Sequence, residues 1–417
     1  MLLPSILRIF LTRSFKPFIF KNKYSDRLEY QNLKNMGLYV HIPFCKTLCA
    51  FCPYFKVKYN ETLVPEYINA LLKEIDIVCH EQKEKKTVTS LYFGGGTPAL
   101  ILPFLQKIIL KLEEYFFIKD GIGVELHPDN ICENTLNVLR TSGVNMISIG
   151  IQSFDNGCLE ALGRKNDNFT EKLKLAASYG FSVIDADLIF GIPNQTKTGL
   201  LNDFALAFKY GATQVSTYPF IDFTFANNMY KPMPEKAKKK MLAAITEYAA
   251  MNNIERTSVW TFAKKGTKKY SSVTRDCFLG FGASATALLQ DIFKINTFSI
   301  TDYIQRVNEN HLPTSLTLDF TKRQRACYFL FWSCYSMRID REAFSEMLGE
   351  NLEKLFGTEL LFCRIFGLLK KENTGYRITN KGAYLYHKIE QAYTTAYIDK
   401  SWNISRLQPF PEKIILK

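Results

Sequence analysis

Short apolar runs alternate with longer stretches of helical spacing from Leu38 to about Ile221. The runs Leu38–His41, Ser90–Phe93, Gly123–Leu126, Met146–Ile151, Val183–Phe190 and Gln214–Tyr218 predict β-strands. Between them, Val64–Cys79, Leu100–Tyr115, Asn134–Arg140 and Thr170–Tyr179 carry apolar residues at helical spacing. Such alternation implies a parallel sheet with right-handed crossovers. Six units fall short of a closed eight-stranded barrel. The expected fold is therefore α/β, an open partial (βα)6 TIM-like barrel with its chemistry at the carboxyl ends of the strands.

Past Thr297 the pattern changes. Thr321–Met337, Arg341–Leu348 and Leu352–Lys370 read as helices, Glu372–Thr379 as a small hairpin, and Lys381–Tyr397 as a final helix. This order has the shape of a winged-helix module. Its would-be recognition region carries few arginines, so no nucleic acid is expected as a partner, and fold alone does not license that function. Covering the open side of the barrel is the more economical role. The expected division is an N-terminal extension (1–35), a core with a substrate-side extension (36–300) and a smaller, mainly helical, winged-helix-like domain (301–417).

Composition narrows the class. A chain of 417 residues, 47% hydrophobic, can bury a sizeable core. Seven of its ten cysteines (Cys79, Cys132, Cys158, Cys277, Cys327, Cys334 and Cys363) sit singly and read mostly as buried reduced thiols. A reducing cytoplasm fits that usage. The net charge is +13, and lysines cluster at Lys236–Lys240 (with Ala237 between) and at Lys264, Lys265, Lys268 and Lys269. A solvated lysine surface is the default reading, but the second cluster shortly precedes a glycine motif and so raises the expectation of an anionic substrate or partner. The N-terminal stretch is apolar but broken by Arg8, Arg13, Lys16 and Lys21. No run approaches the roughly 18–20 residues that cross a bilayer, and no basic segment precedes an apolar one as in a signal peptide. An amphipathic segment lying on the body of the protein is expected, with room for loose membrane contact.

The chemistry is carried by LYVHIPFCKTLCAFCPYF, Leu38 to Phe55. Its spacing is C-x3-C-x2-C, directly after the first strand. Three thiolates can ligate three irons of a 4Fe–4S cubane and leave the fourth open to a small molecule. Structural zinc takes four protein ligands, usually from two CxxC-like pairs, and no second pair exists here. A redox CxxC would leave the third cysteine unexplained.

This stretch resembles the signature of the radical S-adenosylmethionine (SAM) superfamily. HIPFC and the motifs after it resemble, more narrowly, the oxygen-independent coproporphyrinogen III oxidases, with their heme-chaperone and methyltransferase relatives. The resemblance runs from about Leu38 to Leu288, and it implies a cluster on Cys45, Cys49 and Cys52 together with one or two molecules of S-adenosylmethionine. It also implies the cofactor contacts. Gly95, Gly96 and Thr97 of GGGTP would meet the methionyl amino group, and Glu125 of VELHP a ribose hydroxyl or the ammonium. Gln152 of SIGIQSF stands at the same rim, Arg164 of LGRK would meet the carboxylate, and Asp187 of DLIFGIP the ribose. Tyr39 and Phe51 would flank the cluster. Ile221 suits either the adenine wall or plain core packing. Leu279–Ala285 resembles the family's GFG-like turn, which borders a ligand or is simply packed tightly.

The implied activity is that of an oxidoreductase: reductive cleavage of S-adenosylmethionine to a 5′-deoxyadenosyl radical, which abstracts hydrogen from a small-molecule substrate, porphyrin-like or other. The electron would come from a donor such as flavodoxin or ferredoxin, and a monomer is expected. Two departures stand out. Cys52 is followed by Pro53-Tyr54-Phe55, whereas coproporphyrinogen oxidases usually have another cysteine in a CGC-like sequence. Met146 precedes ISIG where an arginine is common in the family. The first departure weighs against coproporphyrinogen itself, leaving a heme chaperone and a radical SAM methyltransferase as alternatives.

Overall fold

The computed structural model describes residues 2–24, 27–226, 228–268 and 276–417. Lys269, one of the expected basic cluster, lies outside them. The described strands of the main sheet are β1 (Phe18–Lys21), β2 (Gly37–Ile42), β3 (Leu91–Gly95), β4 (Ile122–Leu126), β5 (Val144–Gln152), β6 (Val183–Phe190) and β7 (Gln214–Pro219). The series continues with β8 (Ile254–Arg256), β9 (Thr261–Lys264), β10 (Phe278–Phe281), β11 (Thr286–Leu288), β12 (Ile292–Asn296), β13 (Thr314–Asp319) and β14 (Lys413–Leu416). All six predicted strands are present, as β2 to β7, and each pairs in parallel with the next. The open parallel barrel is thus the observed fold.

The sheet goes further than the sequence pattern indicates. β10 adds in parallel to the outer side of β2, and β11, β12, β13, β1 and β14 continue from it as an antiparallel ribbon. At the other end β9 and β8 add antiparallel to β7. The sheet therefore draws strands from all three of the expected segments.

Each core strand has two faces because successive side chains alternate. On β2, Leu38, Val40 and Ile42 are buried in the same apolar cluster as Val64, Ile68, Leu71 and Ile75 of helix α1 (Leu63–Cys79). Full burial of such a side chain stabilises the fold by about 1.5–3 kcal/mol. Tyr39 and His41 occupy the other, barrel-facing positions. On β6, Ile184, Ala186, Leu188 and Phe190 join the outer core, which leaves Asp185 and Asp187 to the interior. Tyr92, Met146 and Val183 form a small apolar cluster with Tyr39 against it. Met146 thus has an apolar setting and no ion pair to make.

The C-terminal part follows the expected order. Helices α2 (Lys322–Tyr335), α3 (Arg341–Leu348) and α4 (Leu352–Ile365) precede a hairpin (Leu369–Glu372, Gly375–Ile378), then come α5 (Asn380–Tyr393), a π-helical turn (Thr394–Ile398) and α6 (Asp399–Leu407). The N-terminal helix Leu2–Thr12 lies on the body, but by an unexpected side. Arg8 is buried and bonds the carbonyls of Ser14 and Lys16, while Leu2, Leu3, Ile6 and Phe10 stay exposed. That outward apolar face is the surface a membrane contact would need. No described helix is long and apolar enough to cross a membrane.

Candidate functional site, a cysteine-lined cavity at the strand ends

A cavity of about 500 Å³ opens at the carboxyl ends of β2 to β7. Its wall includes Cys45, Cys49 and Cys52, all free thiols. The loop that carries them starts where β2 ends. It is closed at its base by Phe44–Cys45 pairing with Val57–Lys58, with Val57 N donating to Pro43 O at 2.7 Å and Tyr59 N to Cys45 O at 2.8 Å. Cys52 N donates to Cys49 O at 3.3 Å and so curls the loop tip. Burial pushes the Cys45 thiol up to about 11 and raises that of Cys52. No three His, Cys, Asp or Glu side chains among the described residues converge on a position for a single metal ion.

The turn after β3 locks against this loop. Gly96 N donates to Ile42 O at 2.7 Å and Thr97 N to Phe44 O at 2.8 Å. A Cβ at Gly96 would stand 2.6 Å from Phe44 O, so only glycine allows this approach. Thr97 Oγ1 then lies 3.5 Å from Cys45 Sγ, and Pro98 opens a 3₁₀ turn as its position suggests. One backbone contact thus fixes the glycine turn, Thr97 and the first cysteine together.

The strand ends bring carboxyl groups to the same wall. Glu125 accepts from Tyr92 Oη at 2.7 Å and from Gly95 N at 3.0 Å, yet burial still raises its pKa. Asp187 accepts from Ser148 Oγ at 2.6 Å, and burial followed by the neighbouring Asp185 charge raises its pKa well above the ordinary range. Arg164 Nη2 donates to Gly150 O at 3.1 Å. At Gln152 the β5–β6 register shifts and φ is +68°, which turns the end of β5. A non-glycine residue in this region costs of order 1–3 kcal/mol, and such strain is typical of functional sites. Phe51 packs beside Ile189 and Phe220, and Ile221 also reaches the cavity wall.

Of the thirteen residues singled out in the sequence, Tyr39 is the one off the cavity wall. Its ring stacks on Tyr92 and its hydroxyl lies 3.0 Å from His41 Nδ1, which places it beneath the site. One open alternative is decided and one expectation is corrected. Of the two readings of the Gly280–Gly282 turn, tight packing is the one observed, since the turn does not border the cavity. It is held by α1, with Gly282 N donating to Glu74 Oε2 at 2.7 Å and Ala283 N to Tyr67 Oη at 3.0 Å. Of the basic loop, the described Lys264, Lys265 and Lys268 do not line the cavity either. Lys264 ends β9 beyond the Ala263–Gln214 pair, at the amino end of β7, and Lys268 bonds Asp120 just ahead of β4. An anionic substrate in this cavity therefore gains nothing from those lysines.

The sequence reading missed a set of wall residues: Tyr54, Asp185, Tyr218, Trp260, Tyr335 and Glu390. Strand alternation could have found Asp185 and Tyr218, which share faces with Asp187 and Ser216. Tyr54 comes with the cysteine loop itself, while Trp260 arrives by long-range packing from the turn before β9, Tyr335 from α2 and Glu390 from α5.

A partial parallel barrel with three clustered cysteines after its first strand defines a class. Residues 39–207 match the Radical SAM superfamily, so the chain carries a radical SAM domain, the kind that works with a 4Fe–4S cluster and S-adenosylmethionine. The nearer similarity is to two kinds of heme-related protein. The chain is 28% identical to the heme chaperone HemW of Bacillus subtilis, over 85% of this chain and 98% of that protein. It is 24% identical to the oxygen-independent coproporphyrinogen III oxidase of Helicobacter pylori, over 86% of each. In fold it matches the Escherichia coli coproporphyrinogen III oxidase (HemN), described as a radical SAM enzyme, with a TM-score of 0.75 at 21% identity over 93% of this chain and 98% of that one.

Proposed function

We propose that this chain is a radical SAM enzyme acting on a small molecule other than coproporphyrinogen III. One observation carries the reading: Cys45, Cys49 and Cys52 share a single cavity with the glycine turn and the strand-end groups Glu125, Gln152, Arg164 and Asp187. The donor set fits the cofactors, since three free thiols stand beside a backbone cradle that a Cβ would fill. Cys45, Cys49 and Cys52 would hold the cluster. Gly95, Gly96 and Thr97 would meet the amino end of S-adenosylmethionine, and Arg164 its carboxylate by a bidentate pair. Glu125 and Asp187 would accept from an ammonium or ribose hydroxyls, with Gln152 at the rim and Phe51 and Ile221 on the adenine side. When bound, the two cofactors supply one-electron cleavage and hydrogen abstraction, driven by a donor of the flavodoxin or ferredoxin kind. The chain's own part is to orient the reactants and keep water out. Tyr54, Trp332, Tyr335 and Trp402 furnish that apolar cover.

The test is anaerobic reconstitution with iron and sulfide, then S-adenosylmethionine and dithionite. About four irons per chain and formation of 5′-deoxyadenosine are expected, both lost in Cys45→Ala. Absence of a cluster would remove the proposal.

A second reading, heme transfer, has one observation in its favour besides the similarity to HemW. His127 is the histidine at the cavity wall, and burial lowers its pKa to about 4, so it is neutral at pH 7. A neutral imidazole can ligate heme iron. Heme titration of the wild type and His127→Ala separates the readings, because a Soret band dependent on His127 belongs to the chaperone alone.

A further inference from the structure

The cavity is chemically two-sided. Its basic side chains among the described residues are Lys46, Lys56 and Arg164. Lys46 and Lys56 belong to the cysteine loop, where Lys56 Nζ bonds Cys52 O at 2.9 Å, and Arg164 is tied to β5. The rest of the wall carries no further Lys or Arg among the described residues and is rich in aromatic and acidic side chains. All three tryptophans of the chain line it. Trp260 lies edge-on to Tyr335 at 5.7 Å and to Tyr218 at 6.1 Å. Its Nε1 donates to His387 Nδ1 at 3.1 Å, and His387 Nε2 lies 3.2 Å from Glu235 Oε1, so the indole ring is held in place from behind.

Two carboxyl groups interrupt this aromatic wall, one from each layer. Asp185 of β6 is 3% exposed. Its Oδ2 accepts from Gln214 and Ser216, both at 2.7 Å, while Oδ1 is buried without a partner. Glu390 of α5 accepts from Thr394 Oγ1 at 2.8 Å through Oε1, and its Oε2 is likewise buried and unpartnered. Tyr335 lies within electrostatic reach of both. Among the described residues no cation offsets either group, and burial raises them to about 6 and about 7 against the hydrogen bonds they accept. A buried polar atom without a partner costs about 1–3 kcal/mol, and a donor-bearing ligand at the wall would recover that loss.

Resting on the enzyme reading above, we propose that the substrate side of the cavity takes a flat aromatic ring bearing N–H donors, an arylamine or nitrogen heterocycle that is neutral or cationic there. The ring stacks among Tyr218, Trp260 and Tyr335, and its N–H groups face Asp185 and Glu390. A polycarboxylate would bring anions to a wall that has two acids and no base.

The three tryptophans make occupancy measurable. The reconstituted protein is titrated with 4-nitrobenzylamine and with 4-nitrophenylacetate, two quenchers of similar size and opposite charge, while tryptophan emission is followed. The amine should half-saturate at a concentration at least tenfold below the acid. That preference should fall at least fivefold in Asp185→Asn and in Glu390→Gln, each of which keeps the shape of the site. Equal binding, tighter binding of the acid, or an unchanged preference in both variants overturns the proposal. Should one variant fail to fold, the other decides. Iron content and 5′-deoxyadenosine are measured on the same preparations. Cleavage without amine preference sinks this inference alone, whereas preference without cleavage sinks the enzyme reading alone.

Discussion

Gly96→Ala tests whether the contact between the glycine turn and the cysteine loop builds the site. The new Cβ would meet Phe44 O at 2.6 Å and Ile42 O at 2.7 Å. Ordinary contact begins at 3.4 Å, so the segments must part by 3.4 − 2.6 = 0.8 Å. Both obstacles are backbone, and no side-chain rotation relieves them. The bonds Gly96 N to Ile42 O and Thr97 N to Phe44 O cross the same contact at 2.7 and 2.8 Å, and the shift carries them out of range. Two lost bonds at about 1 kcal/mol each, with about 1–3 kcal/mol for overpacking, give a loss of about 3–5 kcal/mol. Domains have about 5–15 kcal/mol in all. Anaerobic urea unfolding of the cluster-free protein should show a lower midpoint at an unchanged slope. Cys45 follows Phe44 directly, so reconstituted iron should drop below half the wild-type value. Gly163→Ala is the control: φ there is +68° and nothing lies within 4 Å of the new Cβ, so only the backbone term of about 1–2 kcal/mol applies. If Gly96→Ala is as stable as this control and loads iron fully, the reasoning fails.

Glu74 gives a pH dependence. Burial lifts it from 4.5 to about 7 despite bonds from Tyr303, Gly282 and Asn296, so folding favours the protonated acid. Its stabilising effect is complete below about pH 4.5 and drains away as pH rises to about 7, by at most ~1.4 kcal/mol per unit. Urea midpoints at pH 5, 6, 7 and 8 should therefore converge on, or cross, those of the non-titrating Glu74→Gln as pH rises; parallel curves would contradict this. Cys132 is exposed and held below the ordinary thiol range by hydrogen bonding to Thr135, whereas burial pushes Cys79 and Cys334 up to about 12. Peptide mapping after brief iodoacetamide treatment should find Cys132 modified first, and equal labelling of Cys79 and Cys334 would refute that. Charge reversal in Lys264→Glu with Lys268→Glu should leave the S-adenosylmethionine dissociation constant within twofold, since neither residue lines the cavity; a larger change would reconnect that loop to the site.

What the sequence disclosed and what it hid follow from range. The strands β2 to β7 and the cysteine loop are written in local periodicity and local spacing, and they stand where those patterns place them. β1 and β14 are four residues each and pair across nearly the whole chain, a relation no window of sequence contains. Glu390 falls inside a predicted helix and Trp260 in no predicted element, and neither stands out because their role comes from packing, not from spacing. The GFG turn stayed undecided in the sequence for a related reason. Small residues announce a close approach, but not whether a ligand or, as here, the Glu74 and Tyr67 side chains make it. The basic loop was judged by its distance in sequence from that turn, while β9 carries it to the opposite end of the barrel.

The β1–β14 pairing also sets a timetable for biosynthesis. Residues 18–21 emerge from the ribosome early and their partners 413–416 late, with the helices that cover the cavity made in between. From Cys52 to Lys413 is 413 − 52 = 361 residues, which at ~5–20 residues per second takes on the order of 20–70 seconds. Within that interval, after β7 is made and before α2, α5 and α6 follow it, the three thiols stand at the strand ends without their covering helices. A carrier delivering iron and sulfide meets an open loop then, and only the narrower mouth of the cavity once the last strand has zipped into place.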